Sequence, residues 1–289
     1  MDSIVYGIVS GSIILLGAIG FSMTLKAENF INIAHGQMLL LGAYTALLFN
    51  RLGMDMIPAA GLAVITTGII GVLINRFLYR PIKAKGILVL LFSSIGTAYI
   101  ISGLVGAVAG QRLLAYDLPP VRAINISGVY LLTKYELLII IIALGSVLGL
   151  HLFLTRTALG KAIRAVADNY DLARIRGFNT RRTADWVWFI ASALAGLAGI
   201  LLGVIGSLHT EMGWDQIIII LAATVLGGLG SIYGVMLAAI LLGLGMEVGI
   251  LFFPSHYRSA IAFAIIIIVL LIKPEGLQSI WARTQKKVG

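Results

Sequence analysis

Long uninterrupted apolar runs dominate this chain and leave few ways to fold it. Polar punctuation marks off about nine of them, at 3–25, 34–49, 57–79, 87–110, 136–154, 187–206, 215–229, 232–252 and 259–272. Most come close to or exceed the roughly 20 residues that carry an α-helix across a bilayer. The apolar residues do not alternate with polar ones, which argues against a membrane barrel. Of 289 residues, 60% are hydrophobic and 11% charged, too much apolar surface for a soluble domain of this size to hide. A soluble enzyme, a nucleic-acid binder and a disordered chain are thereby excluded. The runs predict an all-α polytopic transmembrane helical bundle, a single domain over 1–289, with some segments short or broken. The first run starts almost at Met1 without a basic leader and reads as the first span.

The runs 34–49, 215–229 and 259–272 are short. Sixteen helical residues reach only about 24 Å of a roughly 30 Å core, so such segments must tilt, extend or stop partway. Broken helices of this kind often stand beside a substrate path. Small-xxx-small pairs at Gly7/Gly11, Gly106/Gly110, Gly145/Gly149, Gly199/Gly203 and Gly245/Gly249 fit close helix packing within the chain or a subunit interface.

The chain carries 21 Lys and Arg against 12 Asp and Glu, and their placement orients it. One side holds Lys26; Arg76, Arg80, Lys83 and Lys85; Arg156, Lys161, Arg164, Arg174, Arg176, Arg181 and Arg182; and Lys273, Arg283, Lys286 and Lys287, which is 16 of the 21. The other side holds Arg51, Arg112, Arg122, Lys134 and Arg258. Nine crossings then predict an external N-terminus and a cytoplasmic C-terminus.

The longest basic loop, Thr155 to Asp185, is no simple linker. Leu159, Ile163, Val166, Tyr170 and Ala173 recur at helical spacing, and Lys161, Arg164, Asp168 and Asp171 fall on another face. Asp168 or Asn169 can cap a second short helix, and Gly177 can end it. Amphipathic helices under the membrane are expected, lying either on anionic headgroups or under a docked cytoplasmic protein. Asp168, Asp171 and Asp185 among the basic residues favour docking.

No phosphate-binding loop is present; the nearest fragment, Gly160-Lys161-Ala162, lacks the glycine spacing and the hydroxyl. The glycines Gly227, Gly228, Gly230 and Gly234 evoke a dinucleotide loop, but lie between apolar runs and read as a break between membrane helices. Only Glu247 sits deep in an apolar run, thin support for a proton or sodium relay. With no cysteine and with His35, His151, His209 and His256 dispersed, neither a metal site nor a membrane-embedded enzyme is indicated. Energy supplied by another protein through the 155–185 loop is the economical account.

Three stretches then resemble a known family. Asn32-Ile33-Ala34-His35-Gly36-Gln37, followed by Leu41-Gly42-Ala43-Tyr44, is the first. The second is Thr157-Ala158-Leu159-Gly160-Lys161-Ala162-Ile163-Arg164-Ala165, with Ala173 and Gly177-Phe178-Asn179-Thr180. The third is Val225-Leu226-Gly227-Gly228-Leu229-Gly230-Ser231-Ile232-Tyr233-Gly234, with Glu247 and Lys273-Pro274-Glu275-Gly276-Leu277. In order and spacing, over nearly the whole chain, they resemble the permease subunits of branched-chain amino-acid ABC importers, of the LivH type. Four positions depart from that pattern: Ile33, Tyr233, Ile219 and Ser259 stand where the family often has Phe, Pro, Lys and Asp.

The resemblance implies a multi-pass subunit of a prokaryotic inner-membrane importer. Its partners would be a second permease, related or identical, two cytoplasmic ATPases that carry ATP and Mg, and an external substrate-binding protein. No cofactor is expected on this chain. For ATPase coupling the expected residues are Gly160, Lys161, Arg164, Asp168, Asp171, Arg174 and Gly177. For the path they are Asn29, Asn32, His35, Gln37, Ser93, Ser94, Thr97, Thr224 and Glu247, whose amides and hydroxyls can stand in for water around a zwitterion. The same groups also serve as bonds within and between helices. External loops at 111–135, 207–216 and 253–258 are expected to meet the binding protein, with Asp117, Arg122, Glu211, Asp215 and Arg258 as charges and Tyr116, Tyr130 and Trp214 as aromatic anchors. Permeases of this shape for amides, urea or another small solute, and an autonomous ion-coupled carrier or channel, are the alternatives.

Overall fold

The computed structural model describes residues 2–121, 124–126, 129–254 and 257–272. Arg122, His256 and the Lys273-Pro274-Glu275-Gly276-Leu277 motif lie outside the described residues, as does the side chain of Tyr130. Among the described residues, nine helices of 15 or more residues coincide with the nine apolar runs. They are α1 (Asp2–Glu28), α2 (His35–Arg51), α3 (Met56–Ile74), α5 (Ile87–Ala109), α6 (Lys134–Arg156), α9 (Thr180–Ile205), α10 (Met212–Gly227), α11 (Ile232–Gly249) and α12 (Arg258–Ile272). Six are long and apolar enough to cross a membrane, α3 continuing without a break to Lys85, whereas α10 and α12 are shorter apolar helices. The fold is an all-α polytopic bundle, and the protein is a multi-pass membrane protein. One small antiparallel hairpin, β1 (Ile124–Ile126) with β2 (Val129–Leu132), lies in the loop before α6, where no strand was expected.

Helix α1 is the spine, packed by α6, α9, α10 and α11. A Cβ added at Gly243 of α11 would lie 2.4 Å from the Gly11 backbone, so these two helices meet backbone to backbone. Helix α9 does the same with α2: a Cβ on Gly199 would lie 2.0 Å from the Leu39 carbonyl. Gly7/Gly11, Gly199/Gly203 and Gly245/Gly249 therefore serve packing within the chain. Among the described residues, nothing lies within 4 Å of a Cβ added at Gly145 or Gly149 of α6.

Local chemistry sets the ends. Thr133 and Glu136 form a reciprocal capping box at the start of α6. Helix α3 runs into a π-helical turn at Asn75–Tyr79, then α4 (Arg80–Ile82) and a tight turn at Lys83–Lys85. Pro81 lacks an amide hydrogen and crowds the preceding turn, which a π turn accommodates. That turn buries both Asn75 and Tyr79. Gly228 and Gly230, both at positive φ, carry the chain from α10 to α11, and the Ser231 hydroxyl caps α11 by accepting from Gly234 N–H.

Between α6 and α9 lie α7 (Ala158–Asp168) and α8 (Tyr170–Ile175). The helical periodicity from 159 to 173 is split, because Asn169 is extended and its Oδ1 accepts from Leu172 N–H to start α8 afresh. Ile163 and Val166 remain buried, while Tyr170 rotates outward. Helix α9 begins at Thr180, ahead of its apolar run, since Asp185 is held by Arg76, at 2.7 Å, and by Arg80.

Candidate functional site

The chain does not pass directly from α1 into α2. Asn29, at φ +58, ends α1, and residues 30–34 turn back between the helices. His35, the first residue of α2, is buried with its Nε2 2.9 Å from the Gly17 carbonyl, more than two turns inside α1. That bond puts the ring proton on Nε2. Helix α2 thus starts within the bundle, which explains its short length. Irregular backbone at such depth is tolerated only where protein or a cavity satisfies it.

Here protein satisfies it. The Ile33 amide donates to Ser94 Oγ at 3.1 Å, and Ser94 in turn donates to the Leu91 carbonyl at 2.7 Å. Tyr79 Oη donates to Asn32 Oδ1 across 3.4 Å. Phe30, Tyr79 and Trp188 form an aromatic cluster, with the Tyr79 and Trp188 ring centroids 5.2 Å apart. The buried Glu28 carboxylate accepts from Lys83 Nζ at 2.5 Å and from Trp188 Nε1 at 3.3 Å. Glu28, Lys83, Tyr79 and Trp188 did not stand out in the sequence. The readable signal was an acid closing a long apolar helix.

Helix α10 also begins inside the bundle. An added Cβ on Gly36 would lie 2.3 Å from the Gly213 carbonyl, so the first turns of α2 and α10 touch. Gln37 is wholly buried there, and neither polar atom of its amide has a partner among the described residues. Two short helices thus bring their N-terminal turns together at depth, each presenting the positive end of its dipole.

Helix α5 joins two cavities. The outer one, about 590 Å³, is lined by Tyr99, Ser102, Gly103, Gly106, Ala107, Gln111, Glu211 and Trp214. Tyr99 and Trp214 stand 4.8 Å apart, ring centre to ring centre. The inner one, about 380 Å³, includes Glu28, Phe30, Asn75, Tyr79, Lys83, Leu90 and Tyr170. From Leu90 to Tyr99 is about 13 Å along the helix. Ser93, Ser94 and Thr97 fall in that interval, with Ser94 and Thr97 buried and Thr97 donating to the Ser93 carbonyl at 2.8 Å.

The structure therefore brings Asn32, His35, Ser93, Ser94 and Thr97 to one region, with Gln37 beside it and Asn29 exposed at its edge. Thr224 is buried and donates to the Ile220 carbonyl of its own helix. Glu247 lies elsewhere, among α1, α11 and α12, where it accepts from Ser10 Oγ and pairs with Arg258 at 2.9 Å. Ile219, where the family often has Lys, is part of the core, and Tyr233 bonds His151 at 2.7 Å.

The α7–α8 segment forms a second surface. Gly160 packs on the end of α6, where an added Cβ would lie 2.2 Å from the Phe153 carbonyl. Lys161, Arg164, Asp171 and Arg174 are exposed, and Gly177, at φ +85, closes α8. Asp168 pairs with Lys26 at 2.8 Å and so holds the segment to α1, while Asp185, already in α9, pairs with Arg76 at the end of α3. Leu172 and Ile175 point outward, Ile175 being 82% exposed. On the opposite side of the bundle, Tyr116 Oη donates to the Ala43 carbonyl, and burial pushes that phenol above its ordinary range, keeping it a neutral donor. Asp117 N–H donates to Asn50 Oδ1, and Asp215 lies 3.2 Å from His209. Glu211 remains exposed in the outer cavity.

Residues 3–270 match the family model described as branched-chain amino acid transport system / permease component. The chain is 32% identical to the high-affinity branched-chain amino acid transport system permease protein BraD of Pseudomonas aeruginosa, over 96% of this chain and 95% of that one. It is 30% identical to the permease protein LivH of Escherichia coli, over 94% and 92% respectively. Among solved structures, PsaBC from Streptococcus pneumoniae in complex with Fab has a similar fold, with a TM-score of 0.53, 17% identity, and coverage of 95% of this chain and 91% of that one. With nine helices in register with its apolar runs and a family match across almost its whole length, the chain belongs to the permease components of branched-chain amino acid transport systems.

Proposed function

We propose that this chain is the permease subunit of an ATP-driven importer that passes branched-chain or similarly hydrophobic amino acids across a prokaryotic inner membrane. The solute path runs along α5, from the outer cavity past Ser93, Ser94 and Thr97 to the inner cavity. Neutral hydroxyls and amides suit a path that must release what it admits. Asn32 and His35 hold the deep turn that flanks it, with Gln37 beside them, and Thr224 and Glu247 brace helices further away. The ATPases dock on α7 and α8, through Lys161, Arg164, Asp171 and Arg174, with ATP and Mg bound by those partners. A second permease and an external binding protein complete the assembly. The N-terminus is external and the C-terminus cytoplasmic, as the clustering of basic residues on one side supports.

The observation that carries this reading is the α7–α8 segment, tied to the bundle by Lys26–Asp168 while Leu172, Arg174 and Ile175 stay exposed. A segment so anchored passes a push from below into α1, whose end leads into the deep turn. Replacing Arg174 by Glu and Ile175 by Asp is expected to abolish co-purification of the ATPases while the permease still inserts. Unchanged co-purification and ATP-dependent uptake would remove the reading. Solute accumulation by the lone chain, driven by an ion gradient, would replace it with a carrier.

A further inference from the structure

Helices α6 and α11 both pack on α1 but diverge from one another, leaving a cleft of about 480 Å³ between them. Its walls are apolar: Ile19 of α1 at the floor, Val147, Leu150 and Leu154 of α6 on one side, Met236 of α11 on the other. From Ile19 to Lys26 the floor runs about 10 Å along the α1 axis. At one end the lining turns polar and cationic. Arg164 reaches in from α7, Lys26 from the end of α1, and His151 and Tyr233 bridge the two walls through a 2.7 Å bond. Lys26 is paired with Asp168, whereas Arg164 has no ion pair among the described residues. The proposed solute path uses none of these groups; of the proposed ATPase contacts, Arg164 alone lines the cleft.

An apolar trough leading to a cationic rim at a helix end has the form of an amphiphile with an anionic head. We infer that this cleft binds one anionic phospholipid of the leaflet facing α7, its acyl chain between α6 and α11 and its phosphate against Arg164 and Lys26. Charge decides between lipid classes. The net excess of one cation at the rim favours a headgroup with net negative charge over a zwitterionic one. The apolar walls favour a lipid over a free phosphate. Because Arg164 stands on α7 and Lys26 on α1, a lipid bound there joins the α7–α8 segment to the membrane helices, beside the Lys26–Asp168 pair.

The test uses the purified full chain, stripped of lipid in detergent and titrated with dioleoyl-phosphatidylglycerol or dioleoyl-phosphatidylethanolamine, with bound lipid counted by native mass spectrometry. One phosphatidylglycerol is expected to be retained at concentrations where the ethanolamine lipid is not. Arg164→Gln is expected to weaken that preference about fivefold, the contribution of one basic side chain near an anionic surface. Lys26→Gln is expected to weaken it further, since it also leaves Asp168 unpaired beside the rim. Val147→Trp, on the wall and away from the α8 surface, should lower phosphatidylglycerol occupancy with both cations in place. Equal retention of the two lipids by the unmodified chain would overturn the inference without any variant. So would a preference unchanged in both Arg164→Gln and Lys26→Gln, or glycerol 1-phosphate competing as well as the intact lipid.

Discussion

The crossing of α2 and α9 predicts how one methyl group should act in this bundle. Alanine at Gly199 would set its Cβ 2.0 Å from the Leu39 carbonyl oxygen and 2.8 Å from Leu39 Cα, against an ordinary contact of 3.4–4 Å. The obstructing atoms are backbone, so no rotamer change relieves them. The helices must part by more than an ångström at a crossing that also buries Gly42 against Gly196. Overpacking in a close-packed interior costs about 1–3 kcal/mol, and a backbone collision belongs at the upper end of that range. Gly145→Ala is the matched control: the same chemical change within a helix, where the added Cβ meets nothing within 4 Å. The assay is thermal unfolding of each purified variant in one detergent, followed by intrinsic fluorescence, with uptake measured in parallel. Gly199→Ala should unfold well below the unmodified protein, and Gly145→Ala at or above it, as alanine favours helix. Equal midpoints for the two variants would refute the reasoning, for then the crossing is not set by backbone contact.

Other positions carry further expectations. Ser94→Ala removes the acceptor for the Ile33 amide, and leaving that donor unsatisfied should cost about 1–3 kcal/mol, seen as faster proteolysis of the 29–34 turn and reduced uptake. Glu28→Gln keeps the shape but loses the charge that holds Lys83 Nζ at 2.5 Å; as Lys83 is partly exposed, a loss of about 1 kcal/mol is expected, with uptake falling more than stability. Asn169→Ala deletes the α8 cap, which should cost about 1 kcal/mol locally and raise hydrogen exchange across Tyr170–Ile175 without changing α7. Glu211→Gln at the outer cavity should raise the solute concentration needed for half-maximal uptake while leaving ATPase co-purification intact.

Helix positions were legible because lipid leaves a backbone little choice: an apolar run must satisfy its own amides. The short runs at 34–49 and 215–229 correspond to α2 and α10, whose first turns meet at Gly36 and Gly213. What stayed hidden depended on partners distant in sequence. The first turns of α9 carry Arg181, Arg182 and Asp185 and read as loop, since nothing near Asp185 reveals that Arg76 and Arg80 neutralise it. Tyr79 looked like one aromatic among many until a π turn rotated it toward Asn32. Glu247 looked isolated because its counter-ion, Arg258, comes from the next helix. The ion pairs of Asp168 and Asp185 stayed hidden because partners such as Lys26 and Asp168 stand 142 positions apart.

Helix α5 buries only 28% of its most apolar stretch, against 72% for α1, and it leans chiefly on α2. It is also the common wall of the outer and inner chambers. A partition shared by two rooms makes their sizes interdependent: pivoting it near Ser94, which lies between them, enlarges one only by shrinking the other. A solute in one room would then face a narrowed doorway into the next.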